Sequence, residues 1–283
     1  MGLSKNRNLC GFVMTRYRMP AGLKYSTLEE RKEYYEKEFP VKKVMEWFGD
    51  REDTVFALIL GRHTGIVLPE YRDIVNNTVL VEDYKDIEGL REYIIQYLPE
   101  GVYYDRNLYS DIEACSKCEM EPRDCWNCKY FLGQELAFDL DPENVVCPYH
   151  GNYEKKMQKH QGLSFCMYEF KTVRRKTLEL YEELSKEYTQ FRFVYSGRGF
   201  HIHVTDREAV KTTRKEREKI AEKWAKRYPI DPWVTSGEMR LIRLPYSLHG
   251  MVSRICLPLN VDEIKGFDPR RYSNCFPSFL KTG

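Results

Sequence analysis

An α/β (or α+β) fold, with a mixed central sheet, flanking helices and a metal-bearing insert, is predicted by three observations. Residues 55–60, Val-Phe-Ala-Leu-Ile-Leu, make an apolar run of strand length between charged residues and Gly61, which reads as a buried strand. Residues 86–98 place Leu90, Tyr93, Ile94 and Tyr97 at helical spacing ahead of a Pro-Glu-Gly stop. Phe191, Phe193 and Tyr195 alternate, as on a strand with one face in a core.

The elements follow in chain order. Ser26 and Glu29 have capping-box spacing before two helical stretches. The first carries Tyr34, Tyr35 and Phe39, the second Val41, Val44, Met45, Trp47 and Phe48; Pro40 divides them and Gly49 ends them. Residues 65–68, Gly-Ile-Val-Leu, are the expected partner of the 55–60 strand. After the 86–98 helix come a cysteine-rich insert and a strand through Phe138, Asp139, Leu140 and Asp141. Residues 172–186 are helical by periodicity, and the 191–195 strand enters a Ser-Gly-Arg-Gly turn. Residues 207–226 read as one highly charged helix with Ala209, Ile220, Ala221 and Trp224 left for burial and a solvated charged face. Residues 240–259, broken by Pro245, Gly250 and Pro258, predict short edge strands.

No repeat, low-complexity segment or Gly/Ser linker divides the chain, so residues 1–283 are expected to form one composite domain, with residues 111–170 as its metal-bearing insert. Lys and Arg total 45 against 43 Asp and Glu, a formal charge of +2. Bulk charge therefore advertises no polyanion partner, and any basic surface must be local. Aromatics reach 14%, with 21 Tyr, which suits base stacking but suits an ordinary core equally well. No segment has the apolar length of a signal peptide core or a membrane span. The expected location is cytoplasmic or nucleoid-associated, with no membrane partner.

The chemistry concentrates in three places. Strand alternation puts Asp139 and Asp141 on one face while Phe138 and Leu140 enter a core. Two carboxylates so paired need cations or basic partners to offset their repulsion. Hard divalent cations prefer such oxygen ligands and serve in-line phosphoryl displacement. Downstream, Ser196-Gly197-Arg198-Gly199-Phe200-His201 supplies a hydroxyl, a guanidinium and close-approaching backbone. His201 and His203 share the face opposite Phe200, Ile202 and Val204 and read as phosphate ligands, where a lone histidine would read as a satisfied core residue. Asp231, beside Pro232, is by itself an ordinary turn residue. Taken together, the acids and the turn read as a nucleotidyl-transfer site.

The order Asp-Leu-Asp at 139–141, Ser-Gly-Arg-Gly-Phe-His at 196–201, Ile230-Asp231, then Arg-Leu-Pro-Tyr-Ser-Leu-His at 243–249 resembles the archaeo-eukaryotic primase superfamily, most of all its small catalytic subunit. Residues 33–40 and the Arg51-Glu52 pair resemble the same family, so the likeness covers most of the chain. It implies the primase catalytic fold. Asp139, Asp141 and Asp231 would hold two Mg²⁺ or Mn²⁺ ions over the α-phosphate and primer 3′-hydroxyl. Ser196, Arg198 and His201 would hold the β- and γ-phosphates, joined by Arg243, His249 and, by a looser alignment, Arg51. Where some relatives carry two adjacent basic residues between the glycines of the turn, this chain has Arg198 alone.

Nine cysteines in a reducing compartment suggest metal more than disulfides. Cys115, Cys118, Cys125 and Cys128 form two Cys-x-x-Cys pairs, a strong signal for tetrahedral Zn²⁺. Cys147, His150, His160 and Cys166 make a second candidate set, where the resemblance expects a zinc knuckle after the acidic pair. Two zincs, or one drawn from both sets, both fit. Either way zinc would be structural, and Cys10, Cys256 and Cys275 would be free thiols.

These readings converge on the catalytic small subunit of a DNA primase, a nucleotidyltransferase making short primers on single-stranded DNA from NTPs or dNTPs, with a large primase subunit as the partner the resemblance implies. Two rivals stand beside it. One is a repair or damage-tolerance polymerase of the same superfamily that extends ends or gaps. The other is a non-catalytic zinc-containing nucleic-acid-binding protein, against which the three acids argue.

Overall fold

Alternation and turn chemistry build two sheets. The computed structural model describes residues 18–49, 51, 54–111 and 126–281. Its strands are β1 (Phe56–Ile59), β2 (Thr78–Val81), β3 (Gly101–Asp105), β4 (Asn107–Tyr109), β5 (Phe131–Gln134), β6 (Leu136–Leu140), β7 (Phe191–Tyr195), β8 (Phe200–Val204), β9 (Leu241–Arg243), β10 (Leu248–His249), β11 (Arg254–Ile255) and β12 (Leu257–Leu259). One four-stranded sheet runs β2-β1-β3-β9 and another β12-β7-β8-β6, with β4-β5 and β10-β11 as two-stranded ribbons. Every pairing between these strands is antiparallel. The α/β class stands, with a more specific sheet: two antiparallel sheets take the place of one mixed sheet.

Each sheet has its own helices and core. Phe56, Leu58, Val102 and Tyr104 of the first sheet pack with Tyr34, Tyr35, Leu90 and Ile94 from the Leu28–Lys37 and Ile87–Tyr97 helices. Phe138, Leu140, Phe193, Tyr195, Phe200 and Ile202 of the second pack with Phe170, Val173, Leu180 and Trp224 from the Met167–Leu184 and Arg214–Ala225 helices. Burying each such side chain contributes roughly 1.5–3 kcal/mol. Strand β6 belongs to both cores: Phe138 and Leu140 point into the second, while Ala137, on the same face as Asp139, points into the first. The acids thus face the opposite sheet.

Several local expectations shift. Thr27, not Ser26, caps the first helix, exchanging bonds with Glu30; Ser26 is buried, donating to the Gly250 carbonyl and accepting from Arg31. Residues 65–68 form no strand. The chain turns at Gly61 and Gly65, both at positive φ, Arg31 takes the Ile66 carbonyl at 3.0 Å, and β1 pairs instead with β2 and β3. The 172–186 helix starts earlier, at Met167, because Cys166 and Glu169 cap it. The 207–226 helix is two, Arg207–Val210 and Arg214–Ala225, since Thr213 forms a fresh capping box with Glu216. Strands β9 and β12 are sheet edges, as the prolines of that region predict.

No described helix is long and apolar enough to cross a membrane.

Candidate active site

The turn between β7 and β8 brings the basic groups to the acids, and glycine is what permits it. A Cβ on Gly199 would lie 2.0 Å from the Leu140 carbonyl oxygen and 2.5 Å from Asp141 Oδ1. Gly197 sits at φ +105°, with the His249 ring filling the space a Cβ would need. The Ser196 hydroxyl accepts from the Gly199 N–H at 3.1 Å, closing the turn. Asp231 arrives from far along the chain: its N–H donates to the Asp139 carbonyl at 2.8 Å, and its carboxylate caps the Pro232–Ser236 helix through the Trp233 N–H at 2.8 Å.

Between the sheets lies a cleft of about 310 Å³, lined by Asp139, Asp141, Asp231, Ser196, Arg198, His201, Arg243 and His249. Eight of the nine residues expected from the sequence for catalysis and nucleotide binding therefore share one cavity. Arg51 does not. Its guanidinium donates to the backbone carbonyls of Asp105 and Asn107 and packs over Phe48 and Tyr104, so it ties down the end of β3. His203, read with His201 as a phosphate ligand, is also elsewhere. It lies fully buried against Trp47, 2.6 Å from Glu135.

The carboxylates repel one another. Burial, followed by Asp141, Asp231 and Glu143, holds the Asp139 carboxyl well above its ordinary value. Burial and Glu143 hold Asp141 at about 7, against the pull of Arg198 and Arg243. Burial also raises Asp231. The imidazoles go the other way. Burial together with His203 and Arg243 lowers His201, and burial together with Arg243 and Arg198 lowers His249. His201 is thus a neutral ring, its Nε2 3.4 Å from Asp139 Oδ1. Arg198 and Arg243 stay charged against burial, the first through Glu143 and Asp141, the second through Tyr103.

Unpartnered atoms test the fit to ligands. Asp139 Oδ1, Asp141 Oδ1, Arg198 Nε, His201 Nδ1 and Arg243 Nη1 are buried with no hydrogen-bond partner among the described residues. Buried polar atoms left so are costly and rare. Carboxyl oxygens and donor nitrogens lining one cleft fit cations on one side and an anionic group on the other.

Four neighbours lay beyond the reach of the sequence reading. Glu143, in the Pro142–Asn144 turn just after Asp141, accepts from Arg198. Tyr103 meets Arg243, with the guanidinium 4.5 Å from its ring centre. His63 lines the cleft. Arg106 donates to the carbonyls of Glu135, Val234 and Met239 at 2.6, 2.6 and 2.7 Å. That clamp fixes the segment after Asp231 against β6. Only Glu143, two residues from Asp141, had any local signal.

An uncharacterized DNA primase small subunit-like protein of Archaeoglobus fulgidus is 56% identical over 267 residues, 94% of this chain and 94% of that protein. The chain belongs to the DNA primase small subunit family. The DNA primase small subunits PriS of Pyrococcus abyssi and Thermococcus onnurineus are 30% and 28% identical over 70% and 69% of this chain, which spans 49% and 48% of their lengths. No family model matches the sequence. The polymerase domain from Mycobacterium tuberculosis Ligase D in complex with DNA covers 95% of this chain and 94% of that one with a TM-score of 0.48 and 13% identity, a likeness too loose to argue from.

A zinc knuckle after the acidic pair is the other expectation that the primase resemblance carries. Cys147, His150, Cys166 and Glu169 bring one ligand atom each within 4.8 Å of one another. Cys147 Sγ lies 3.4 Å from His150 Nδ1 and 3.9 Å from Cys166 Sγ. Glu169 is fully buried and stands where the sequence reading set His160. His160 itself sits exposed at positive φ in the turn after the Tyr153–Gln158 helix and is not part of the group. Two thiols, an imidazole and a carboxylate fit a tetrahedral zinc site. Of the Cys-x-x-Cys set, Cys115, Cys118 and Cys125 lie outside the described residues, and Cys128 is half-buried with no disulfide partner among the described residues.

Proposed function

We propose that this chain is a primase-type nucleotidyltransferase that builds short primers on a single-stranded DNA template from NTPs or dNTPs. The observation that carries the reading is the convergence, in a chain of the primase small subunit family, of Asp139, Asp141 and Asp231 with Arg198, Arg243, His201 and His249 around one cleft. Phosphoryl transfer needs positioning and charge neutralisation more than covalent chemistry. The three acids would hold divalent cations, Mg²⁺ or Mn²⁺, which when bound supply charge neutralisation at the attacking and leaving oxygens. Arg198 and Arg243 would take the triphosphate in charge-assisted bonds. Neutral His201 and His249 would donate to it without adding charge, and the Ser196 hydroxyl is free to donate because it accepts from Gly199.

On this reading residues 1–283 are one catalytic domain and residues 111–170 its zinc-bearing insert, with zinc held structurally by Cys147, His150, Cys166 and Glu169. A large primase subunit is the expected partner.

The test is to give purified protein single-stranded DNA, labelled nucleotides and Mn²⁺ or Mg²⁺ without primer. Short products that vanish in Asp139→Ala are expected. Extension only when a primer is supplied would make the chain an end-extending polymerase, and no incorporation under either condition would overturn the reading.

A further inference from the structure

Of ten large hydrophobic side chains left exposed among the described residues, five fall in one short segment: Val146, Tyr149, Tyr153, Met157 and Tyr168. Tyr149 is 75% exposed, Tyr153 43% and Tyr168 45%, and the rings of Tyr149 and Tyr168 stand 5.7 Å apart, edge to face. A monomer rarely leaves aromatics clustered in water without a use for them. The same segment departs from the charge balance of the chain, since residues 146–171 hold four lysines and two glutamates. Lys156 and Glu169 Oε1 pair at 2.9 Å, which leaves Oε2 toward His150 and three lysines against Glu154 at the surface of the segment.

The aromatic cluster edges a groove of about 490 Å³ lined by Arg18, Tyr149, Lys159 and Phe165 and floored by His150, Cys166 and Glu169 of the candidate metal group. This groove and the cleft with the acids share a wall. Leu163 lines the cleft, Ser164 and Phe165 line the groove, and Arg198 lies over the Phe165 ring at 5.8 Å. The wall is firmly placed: the Arg18 N–H donates to the Ser164 hydroxyl at 2.8 Å and the Phe165 N–H to the Arg18 carbonyl at 3.1 Å.

We propose that this groove, with Tyr149 in its lining and the neighbouring Tyr168 at its edge as stacking platforms and Arg18 and Lys159 along the backbone, carries the single-stranded DNA template toward the cleft. Unpaired bases expose π-faces that aromatic side chains stack on, and flanking cations follow the phosphates. A duplex hides those faces, so the surface prefers single strands. The proposal rests on reading the chain as a template-using enzyme and names the surface that reading lacks.

The test is fluorescence anisotropy of a labelled single-stranded oligodeoxynucleotide against the full, zinc-loaded chain without nucleotide. Stacking is worth ~1–3 kcal/mol per base, so Tyr149→Ala with Tyr168→Ala should weaken binding about tenfold or more at fixed salt. Tyr149→Phe with Tyr168→Phe should restore it to within about twofold of the parent. Zinc content and melting temperature of each variant report folding. Strand binding by the double alanine variant equal to the parent's overturns the proposal, and so does equal binding of duplex and single strand; the surface would then dock another protein. Asp139→Asn separates the two readings, because it should bind the strand normally and lose nucleotide incorporation. A parent chain that binds strands through the tyrosines but never incorporates nucleotides keeps the groove and overturns the proposed function.

Discussion

Asp141 shows how one side chain records what the cleft is for. Its carboxyl is held at about 7 by burial and by Glu143, against 3.9 for an unfolded aspartate. A folded-state pKa raised this way means the folded chain binds more protons than the unfolded one, so cation-free stability falls as pH rises from about 4 to about 7. Divalent cation should reverse that trend, and the gain in melting temperature from Mg²⁺ should grow across the same window. Scanning calorimetry at several pH values with and without Mg²⁺ checks it; a gain independent of pH would contradict it. Asp141→Asn should raise the cation-free melting temperature at pH 8 by a few degrees while cutting nucleotide incorporation by at least about 10²–10³-fold. Arg198→Lys keeps the charge and loses the fork, and should raise the nucleotide KM by about tenfold or more. Arg51→Ala should lower stability and leave that KM alone, because Arg51 serves the carbonyls of Asp105 and Asn107. The acids and Arg198 were legible in the sequence because alternation and glycine spacing are local signals. Arg51 misled because its place depends on which carbonyls the end of β3 leaves open.

Elements fix these residues through contacts that tolerate little change. The 196–199 turn reaches the acid strand only because Gly199 has no side chain, so Gly199→Ala should cost about 1–3 kcal/mol, read by denaturant melts, and weaken nucleotide use with it. The alternation of strands β6, β7 and β8 could be read ahead, and for β7 its bounds as well. The 207–226 break was signalled too, by the capping-box spacing of Thr213 and Glu216, but the continuous charge run masked it. The candidate metal group divides the same way. Cysteine and histidine advertise themselves in sequence, whereas Glu169 looks like one more helix acid until the helix start carries it to Cys147 and His150. Elemental analysis should therefore find zinc in the purified chain, reduced in Cys147→Ser and Cys166→Ser and unchanged in His160→Ala. A metal-free, fully folded preparation would refute the site.

At the scale of the molecule, the cleft belongs to neither sheet alone. Tyr103 and Arg243 come from the first, Asp139 and His201 from the second, and Arg106 bonds across to Glu135, Val234 and Met239. Removing that buried guanidinium leaves three carbonyls short of a donor, so Arg106→Met should be among the more destabilising single changes, by about 3 kcal/mol. The family and the α/β class were readable because their motifs recur in order along the chain. The division into two antiparallel sheets was not, since pairing partners lie far apart in sequence.

The bond from the Asp231 N–H to the Asp139 carbonyl also sets a time order. Closing so long a loop costs conformational entropy, so the third carboxylate is expected to join the other two after the β6–β8 pairing and the Arg214–Ala225 helix have formed. On the proposed function, cation capture would then come late in the assembly of a newly made chain, and tightly bound Mn²⁺ appearing during refolding before the sheet signal is complete would contradict it.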